Sequence, residues 1–539
     1  MHVQGDVERA ISSIHKLKAA WVLEEQERRH DHAFKSSLLP VERQAAGILR
    51  RLCRDIKIGD QITQENGNTS AFRTDMPFFE ARELMEKSSL WPVLSKMPKG
   101  CLLHAHGDAM LDPEWIITQA LEIPGYYASS PITLNPYDDE TPAPIQFGYA
   151  PDSPSLKSQN IWSSAYIPHT PVPLTSIAAY HPSSVVGFKR WAKAQMSLTP
   201  RECRVFNEGQ DAIWNKFASC FIVSNGLFYT EPVFRRCIRE ILRNLHANGI
   251  RYVELRLSIS PNFHYLNMFE CFNQELNAHM SSPMGRGFWG ARIIWISLRS
   301  DPNDHILGEM RSCIDCKKRY PNLLAGFDLV GHEDKGRSLE ELTPLCLWFQ
   351  KQCEAGGLHI PFFFHAGECL GDGDSTDWNL ASAVLLKSRR IGHAFSLYKH
   401  PVLLEKVKQN QILIESCPIS NQILRLTPWP ATHTLPGLLS HGVAVSINND
   451  DPGVLGHGEC GLTHDLFQVL ASFDNVGLGG LADMVQNSIL WAAFDDQNHE
   501  DWVRDINMNG RLSGTKSERV AVWRQECTAW CQWVVDNYS

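Results

Sequence analysis

The chain has 539 residues, 43% of them hydrophobic and 21% charged, with a formal net charge of -9. That length can bury a large core, and the charge is spread without a basic tract, which argues against a nucleic-acid partner. No apolar run is long enough to cross a bilayer, so no membrane partner is expected either.

The first residues, Met1-His2-Val3-Gln4-Gly5-Asp6-Val7-Glu8, are polar and acidic, with no hydrophobic signal segment behind them. The 15 cysteines are scattered without regular spacing. Reduced thiols in a cytoplasmic setting fit both facts. The Cys-x-x-Cys at Cys313 and Cys316 lies in a helical pattern without a second pair and reads as helix packing. The sequon at Asn68 carries no weight without secretion.

From Val7 to Ile58 the apolar positions recur with helical period (Ile11, Ile14, Leu17, Trp21, then Ala45, Ile48, Leu49, Leu52). This is a helical extension of about residues 1–77, suited to packing on the rest of the chain or on a second subunit, so a homodimer is considered. The turn-forming stretch Asn66-Gly67-Asn68-Thr69-Ser70 breaks it. Helix returns at Phe78–Ser88, and Met97-Pro98-Lys99-Gly100 leads into a strand at Cys101–His106. Between Leu121 and Pro173, within a segment of about 109–205 that separates the first two strands, the chain becomes proline-rich (Pro124, Pro131, Pro136, Pro142, Pro144, Pro151 and others). Such a segment is excluded from helix interiors and central strands. It is an insertion, read as a lid, an interaction surface or a mobile loop. Helices are expected around Gly187–Met196 and over Phe206–Asn248.

A regular alternation of strand and helix follows, with strands at Arg251–Leu257, Arg292–Leu298, Leu324–Val330, Pro361–His365, Ile391–Phe395, Ile412–Ser416 and Val443–Ile447. With the first strand this makes eight β-then-α units, the pattern of an α/β (β/α)8 barrel over residues 78–539. An amphipathic helix at about 517–537 closes the chain.

Several strands end in chemistry-bearing residues, and in such a barrel that end is where chemistry is done. His104 and His106 stand two apart on the first strand, so both side chains point to one face, a ready chelate for zinc. His365 ends the fifth strand and Asp450 follows the eighth, which lies beside the first. These four are the candidate ligands of one Zn2+ per subunit, whose chemistry is to lower the pKa of a water molecule. Glu368, one turn beyond His365, is the candidate proton carrier, and His393 can orient or deprotonate the attacking water. Asp451 is left free to contact substrate.

The boxes His104-Ala105-His106, His365-Ala366-Gly367-Glu368, Arg390-Ile391-Gly392-His393, Glu415-Ser416-Cys417-Pro418-Ile419-Ser420-Asn421 and Asp450-Asp451-Pro452 together resemble the adenosine deaminase family. More narrowly, Gly326-Phe327-Asp328-Leu329-Val330-Gly331-His332-Glu333-Asp334 and Trp214-Asn215-Lys216-Phe217 resemble its adenosine deaminase-related growth factor branch. The resemblance implies zinc on His104, His106, His365 and Asp450, with Glu368 as donor to purine N1 and His393 assisting the hydroxide that adds to C6. It implies Asp451 at N7, the Gly331 amide at N3, Trp214 among the substrate contacts, and release of ammonia. Asp108 matches the carboxylate that meets the ribose 5′-hydroxyl in classical members. The chain departs from secreted members in lacking a signal peptide and any cysteine between Cys101 and Cys203. It also reads Leu298-Arg299-Ser300 where that branch tends to place a histidine. The expected substrate is adenosine or 2′-deoxyadenosine. An adenine nucleotide (AMP or ATP) is the alternative, for which an Arg299 at the barrel rim would argue. A non-catalytic adenosine-binding signalling protein would be marked by a lost ligand or a lost Glu368, and neither is lost. The His-x-Glu and Pro-Cys-x-x-Cys pattern of cytidine deaminases is absent.

Overall fold

The strands form because short runs of β-branched and aromatic residues are buried on both faces, as a parallel sheet sheathed by helices requires. We number them β1 (Gly100–His106), β2 (Ile250–Leu257), β3 (Gly290–Leu298), β4 (Leu324–Val330), β5 (His365–Ala366), β6 (Arg390–His393), β7 (Leu413–Ser416) and β8 (Val445–Ile447). The computed structural model describes residues 2–65, 72–138, 141–151, 159–204, 209–260, 263–458, 461–508 and 514–539. The Asn68 sequon and the break around it lie outside these residues.

Two four-stranded parallel sheets, β1-β2-β3-β4 and β5-β6-β7-β8, make up the wall. Bridges from Phe327 to Phe362 and from Ala105 to Asp450 join them into a closed eight-stranded barrel. The β5 ladder is shorter than the expected Pro361–His365. Pro361 has no N–H to give, and pairing with β4 rests on Phe327 N–H to the Pro361 carbonyl and Phe363 N–H to the Phe327 carbonyl, both 3.0 Å. The β8–β1 seam is reinforced by a side chain: Asn448 Oδ1 accepts the Leu103 and His104 amides at 3.1 and 3.0 Å.

The segment after β1 is ordered over its described residues. Tyr126–Ser129 is the centre of a three-stranded antiparallel sheet flanked by Gln146–Tyr149 and Val172–Pro173. Pro173 sits on an edge strand, where its missing donor is harmless. The sheet lies against the helix Gly209–Phe228, and only glycine fits at the crossing: a Cβ on Gly226 would stand 2.2 Å from the Phe147 carbonyl oxygen.

The helical stretch expected over Phe206–Asn248 consists, over its described residues, of Gly209–Phe228 and Glu231–Ala247. Thr230 takes extended backbone between them, and Pro232 occupies the first turn of the second, where its missing N–H has no partner to lose. Tyr229 therefore falls at a corner instead of inside a helix.

At the chain ends, the helix Thr515–Tyr538 packs under the barrel, its Trp523 and Trp530 indoles donating to the Pro98 and Val93 carbonyls at 3.2 and 3.1 Å. The helix Pro40–Glu65 lies on it and buries Ala45, Ile48, Leu49 and Leu52. The first helix, His2–Arg28, differs: Val7, Ile11, Ile14, Leu17, Trp21 and Leu23 all remain exposed, Trp21 at 67%. Cys313 and Cys316 are free and buried within the helix Asn303–Arg319, in keeping with a packing role.

Candidate active site

At the carboxyl end of the barrel, ligand atoms of His104, His106, His365 and Asp450 lie within 4.8 Å of one another, all buried. The β8–β1 seam brings this about. Asp450 N–H donates to the His104 carbonyl and His106 N–H to the Asp450 carbonyl, at 3.3 and 3.0 Å, so the carboxylate is laid beside both imidazoles. Asp450 adopts φ +59°, a left-handed conformation that a non-glycine residue takes only when its surroundings impose it.

Two of the imidazoles are oriented from behind. His104 Nδ1 is 2.8 Å from Glu415 Oε2, and His365 Nδ1 is 2.7 Å from Asp328 Oδ2. Each carboxylate accepts a hydrogen bond from Nδ1–H and leaves the Nε2 lone pair to face the cluster, as metal-bound histidines require. Arg256 lies between the two carboxylates, 2.8 Å from each. Arg390 then links Glu415 to Glu254. All five charged groups are fully buried. Side chains from β2, β4, β6 and β7 meet in this chain, so it fills the inside of the barrel directly beneath the histidines.

The residues fit a metal ion. His104 Nε2 and Asp450 Oδ1 are 3.0 Å apart, yet neither makes a hydrogen bond although both are buried. Atoms that converge on a common point instead of along an N–H direction suit ligands of a shared cation. Three imidazoles and one carboxylate form a donor set appropriate to zinc. Among the described residues a second grouping, His104, His393, Cys417 and Asp450, overlaps the first.

His393 stands beside the cluster, its Nε2 3.6 Å from Glu368 Oε1 and 3.8 Å from Asp450 Oδ2. Burial holds its pKa well below the usual range, so the ring is neutral. Its proton can be located. The Leu435 backbone N–H, which can only donate, is 3.0 Å from His433 Nδ1. His433 therefore donates from Nε2 to Asn421 Oδ1 at 3.0 Å, and Asn421 Nδ2 donates to His393 Nδ1 at 3.1 Å. The remaining proton of His393 is on Nε2, pointing into the site. The ring is a donor there, which favours orienting the incoming oxygen over taking a proton from it.

Glu368 is buried, and burial together with the Asp450 and Glu333 charges pushes its carboxyl well above the ordinary range. Glu333 also fixes its backbone, accepting the Gly367 and Glu368 amides at 2.9 and 2.7 Å. Burial, then the charges of Asp450 and Asp108, likewise push the Asp451 carboxyl well up. Asp108, in the turn after β1, takes a 3.1 Å hydrogen bond from Tyr229, and burial raises its pKa to about 6. Gly331 follows β4 at φ +102°. The next residue, His332, stacks flat on Trp214 with ring centres 4.7 Å apart, which brings Trp214 over the β4 loop.

Arg299 is not at the rim. It is fully buried, and its guanidinium donates to the Leu329 and His365 carbonyls at 3.1 and 2.9 Å. Its amide pairs with Val330, which turns the side chain inward between β4 and β5. Sequence reasoning assigned no role to Arg256, Asp328, Glu415, Glu333 or Tyr229. The available signal was a charged residue inside a strand expected to be wholly buried, such as Asp328 between Phe327 and Leu329.

A closed (β/α)8 barrel with three imidazoles and a carboxylate gathered at its carboxyl end, backed by buried carboxylates and flanked by the buried carboxyl of Glu368, is the architecture of a metal-dependent hydrolase. Comparison with known proteins narrows the class. A family model described as adenosine deaminase matches residues 197–508, more than half of the chain. Adenosine deaminase 2 of Sus scrofa is 31% identical over 448 residues, spanning 80% of this chain and 82% of that protein. An adenosine deaminase of Lutzomyia longipalpis is 31% identical over 425 residues, 77% of each chain. Among solved structures, adenine deaminase from Arthrobacter aurescens superposes with a TM-score of 0.51 at 19% identity, covering 81% of this chain and 99% of that one. The chain belongs to the adenosine deaminase family and is an aminohydrolase-type enzyme.

The backing carboxylates generate a prediction. Glu415→Gln removes the full charge that receives the His104 proton, so affinity for added zinc is expected to fall by about 10- to 100-fold. Competition with a chelator, on protein whose fold is verified by circular dichroism, measures it. Unchanged affinity would show that Glu415 does not serve His104 as a ligand.

Proposed function

We propose that the protein hydrolyses adenosine and 2′-deoxyadenosine to inosine and 2′-deoxyinosine, releasing ammonia. One observation carries the reading: His104, His106, His365 and Asp450 converge at the mouth of the barrel with Glu368 and His393 against them. One zinc per subunit, held by those four residues, would supply Lewis acidity that makes water a nucleophile at neutral pH. The protein's own groups do the rest. Glu368, kept protonated by burial, gives its proton to purine N1 and so makes C6 electrophilic. His393 donates from Nε2 to the oxygen that adds to C6. Asp451, its carboxyl raised, can donate to N7, and the Gly331 amide addresses N3. Trp214 roofs the base from the side of the β4 loop. Glu368 recovers the proton that water loses, and the new hydroxyl's proton passes to the amino group, so ammonia leaves as the tetrahedral carbon collapses to the carbonyl.

At the ribose end the geometry favours a nucleoside. Asp108 is an acceptor for a 5′-hydroxyl and would meet a phosphate as a like charge. The nucleotide reading drew on Arg299 as a rim residue, but its guanidinium is fully buried, with Nη2 on two backbone carbonyls and Nη1 3.9 Å from Glu333. Loss of adenine absorbance on adenosine, AMP and ATP in parallel tests this. We expect the highest kcat/KM for adenosine, and a higher value for AMP at moderate salt would overturn the assignment.

Removal of zinc should abolish turnover and its return restore it. Glu368→Gln should retain metal and much of the substrate affinity while losing about 10²- to 10⁴-fold in kcat. A variant within about tenfold of the parent would move the proton-donor role elsewhere.

Two wider features belong to the same proposal. Every described cysteine is free and buried, which supports a cytoplasmic setting. The apolar ridge of the first helix, exposed from Val7 to Leu23, supports a homodimer. Light scattering on the full chain should give twice the mass of 60.9 kDa. A monomer at micromolar concentration would remove that part.

A further inference from the structure

Asp108 is buried, and only one of its two oxygens is partnered: Oδ2 receives the Tyr229 hydroxyl at 3.1 Å, while Oδ1 has no hydrogen-bond partner. A buried carboxylate oxygen left open calls for a donor, because its desolvation is otherwise uncompensated. Tyr229 decides which oxygen is open. Its own oxygen receives the Ser258 backbone N–H at 3.1 Å and the Ser258 hydroxyl at 2.9 Å. Both acceptor sites of the phenol are thereby filled, and its single proton has Asp108 as its outlet.

Tyr229 is held in place by the corner between two helices. Thr230, the next residue, is bonded to Tyr126 of the inserted sheet and donates to the Leu227 carbonyl at 2.7 Å. The phenol, 1% exposed, cannot swing away to serve another group. Three elements thus meet at Asp108: the turn after β1, the helix corner braced by the insertion, and the residue after β2.

We propose that Tyr229 is the positioning residue that sets selectivity for a free 5′-hydroxyl, by fixing Asp108 with one oxygen open to the ribose. The inference rests on the adenosine reading above, in which Asp108 meets that hydroxyl. The ligand class follows from the hydrogen-bond inventory. A 5′-hydroxyl is a neutral donor and completes Oδ1. A 5′-phosphate brings only acceptors, and the Tyr229 proton that might have received it is already committed to Asp108.

The test uses the zinc-loaded full chain and the ratio of kcat/KM for adenosine to that for 5′-deoxyadenosine, which lacks only the hydroxyl. In the parent this ratio should be about 10 to 100, the worth of one hydrogen bond to a charged group. Tyr229→Phe should lower the ratio by about tenfold, mainly through KM for adenosine, and leave 5′-deoxyadenosine within about twofold. Equal losses on both substrates would reduce Tyr229 to a structural role and overturn the proposal, as would an unchanged ratio. Asp108→Asn separates the two levels. A collapse of the ratio there with none in Tyr229→Phe rejects Tyr229 and keeps the Asp108 reading, whereas an unchanged ratio in Asp108→Asn rejects both. If Tyr229→Phe is recovered unfolded, Ser258→Ala is read instead. It withdraws one of the donors that fill the phenol, and a fall in the ratio of about two- to threefold is expected, no fall being again a rejection.

Discussion

Arg256 lies wholly inside the barrel with its guanidinium divided between Asp328 and Glu415, and each of those carboxylates holds the imidazole of a different strand. The same guanidinium reaches the Leu103 and Phe363 carbonyls, one residue before His104 and two before His365. One buried cation therefore orders both the side chains and the backbone from which two of the gathered histidines project. Arrangements of this kind stand only when complete. Removing one partner leaves an uncompensated charge in a dry interior, at a cost of about 3–5 kcal/mol. The barrel supports that condition because its interior excludes water and its strands fix the partners in register.

The site is assembled against local preference at two places. Asp450 and His393 both adopt positive φ, +59° and +61°, which side chains with a Cβ avoid. Each is over-determined by its neighbours. Asp450 is zipped to β1 and receives the Ser420 hydroxyl at 2.7 Å, and His393 is held through Asn421 and His433. Local strain maintained by hydrogen bonds from several elements is a means of pre-organisation, since the groups need not move into place during reaction.

The inserted segment reaches the site indirectly. Its sheet lies on the helix Gly209–Phe228, with Phe147 against Gly226 and Tyr126 bonded to Thr230. That helix carries Trp214 along its length and ends at Tyr229, so the insertion braces the two aromatic residues that face the base and the ribose end in the proposed complex. Composition read the proline-rich segment as a lid, an interaction surface or a mobile loop and did not foresee a brace, since proline restricts φ without saying what the chain packs against.

The sequence by itself determined the strand order and the identities of the converging histidines and aspartate. Strand period, apolar runs and residues at strand ends are local properties, and closing eight such strands leaves little freedom in where their ends meet. It also carried the boxes by which the chain resembles its family. What only the tertiary structure decided were the partners of buried charges. Arg299 reads along the chain as a rim arginine available to a phosphate, yet its side chain is fully buried between β4 and β5 and bonds the Leu329 and His365 carbonyls. Asp328, Glu415 and Arg256 lie up to 159 positions apart in the chain and touch only because parallel strands bring their inward faces together. The proton on His393 likewise follows from a backbone amide 42 residues away, reached through two side chains. Desolvation makes such pairings obligatory once groups are buried, but which groups are buried together is a property of the closed barrel and not of any stretch of sequence.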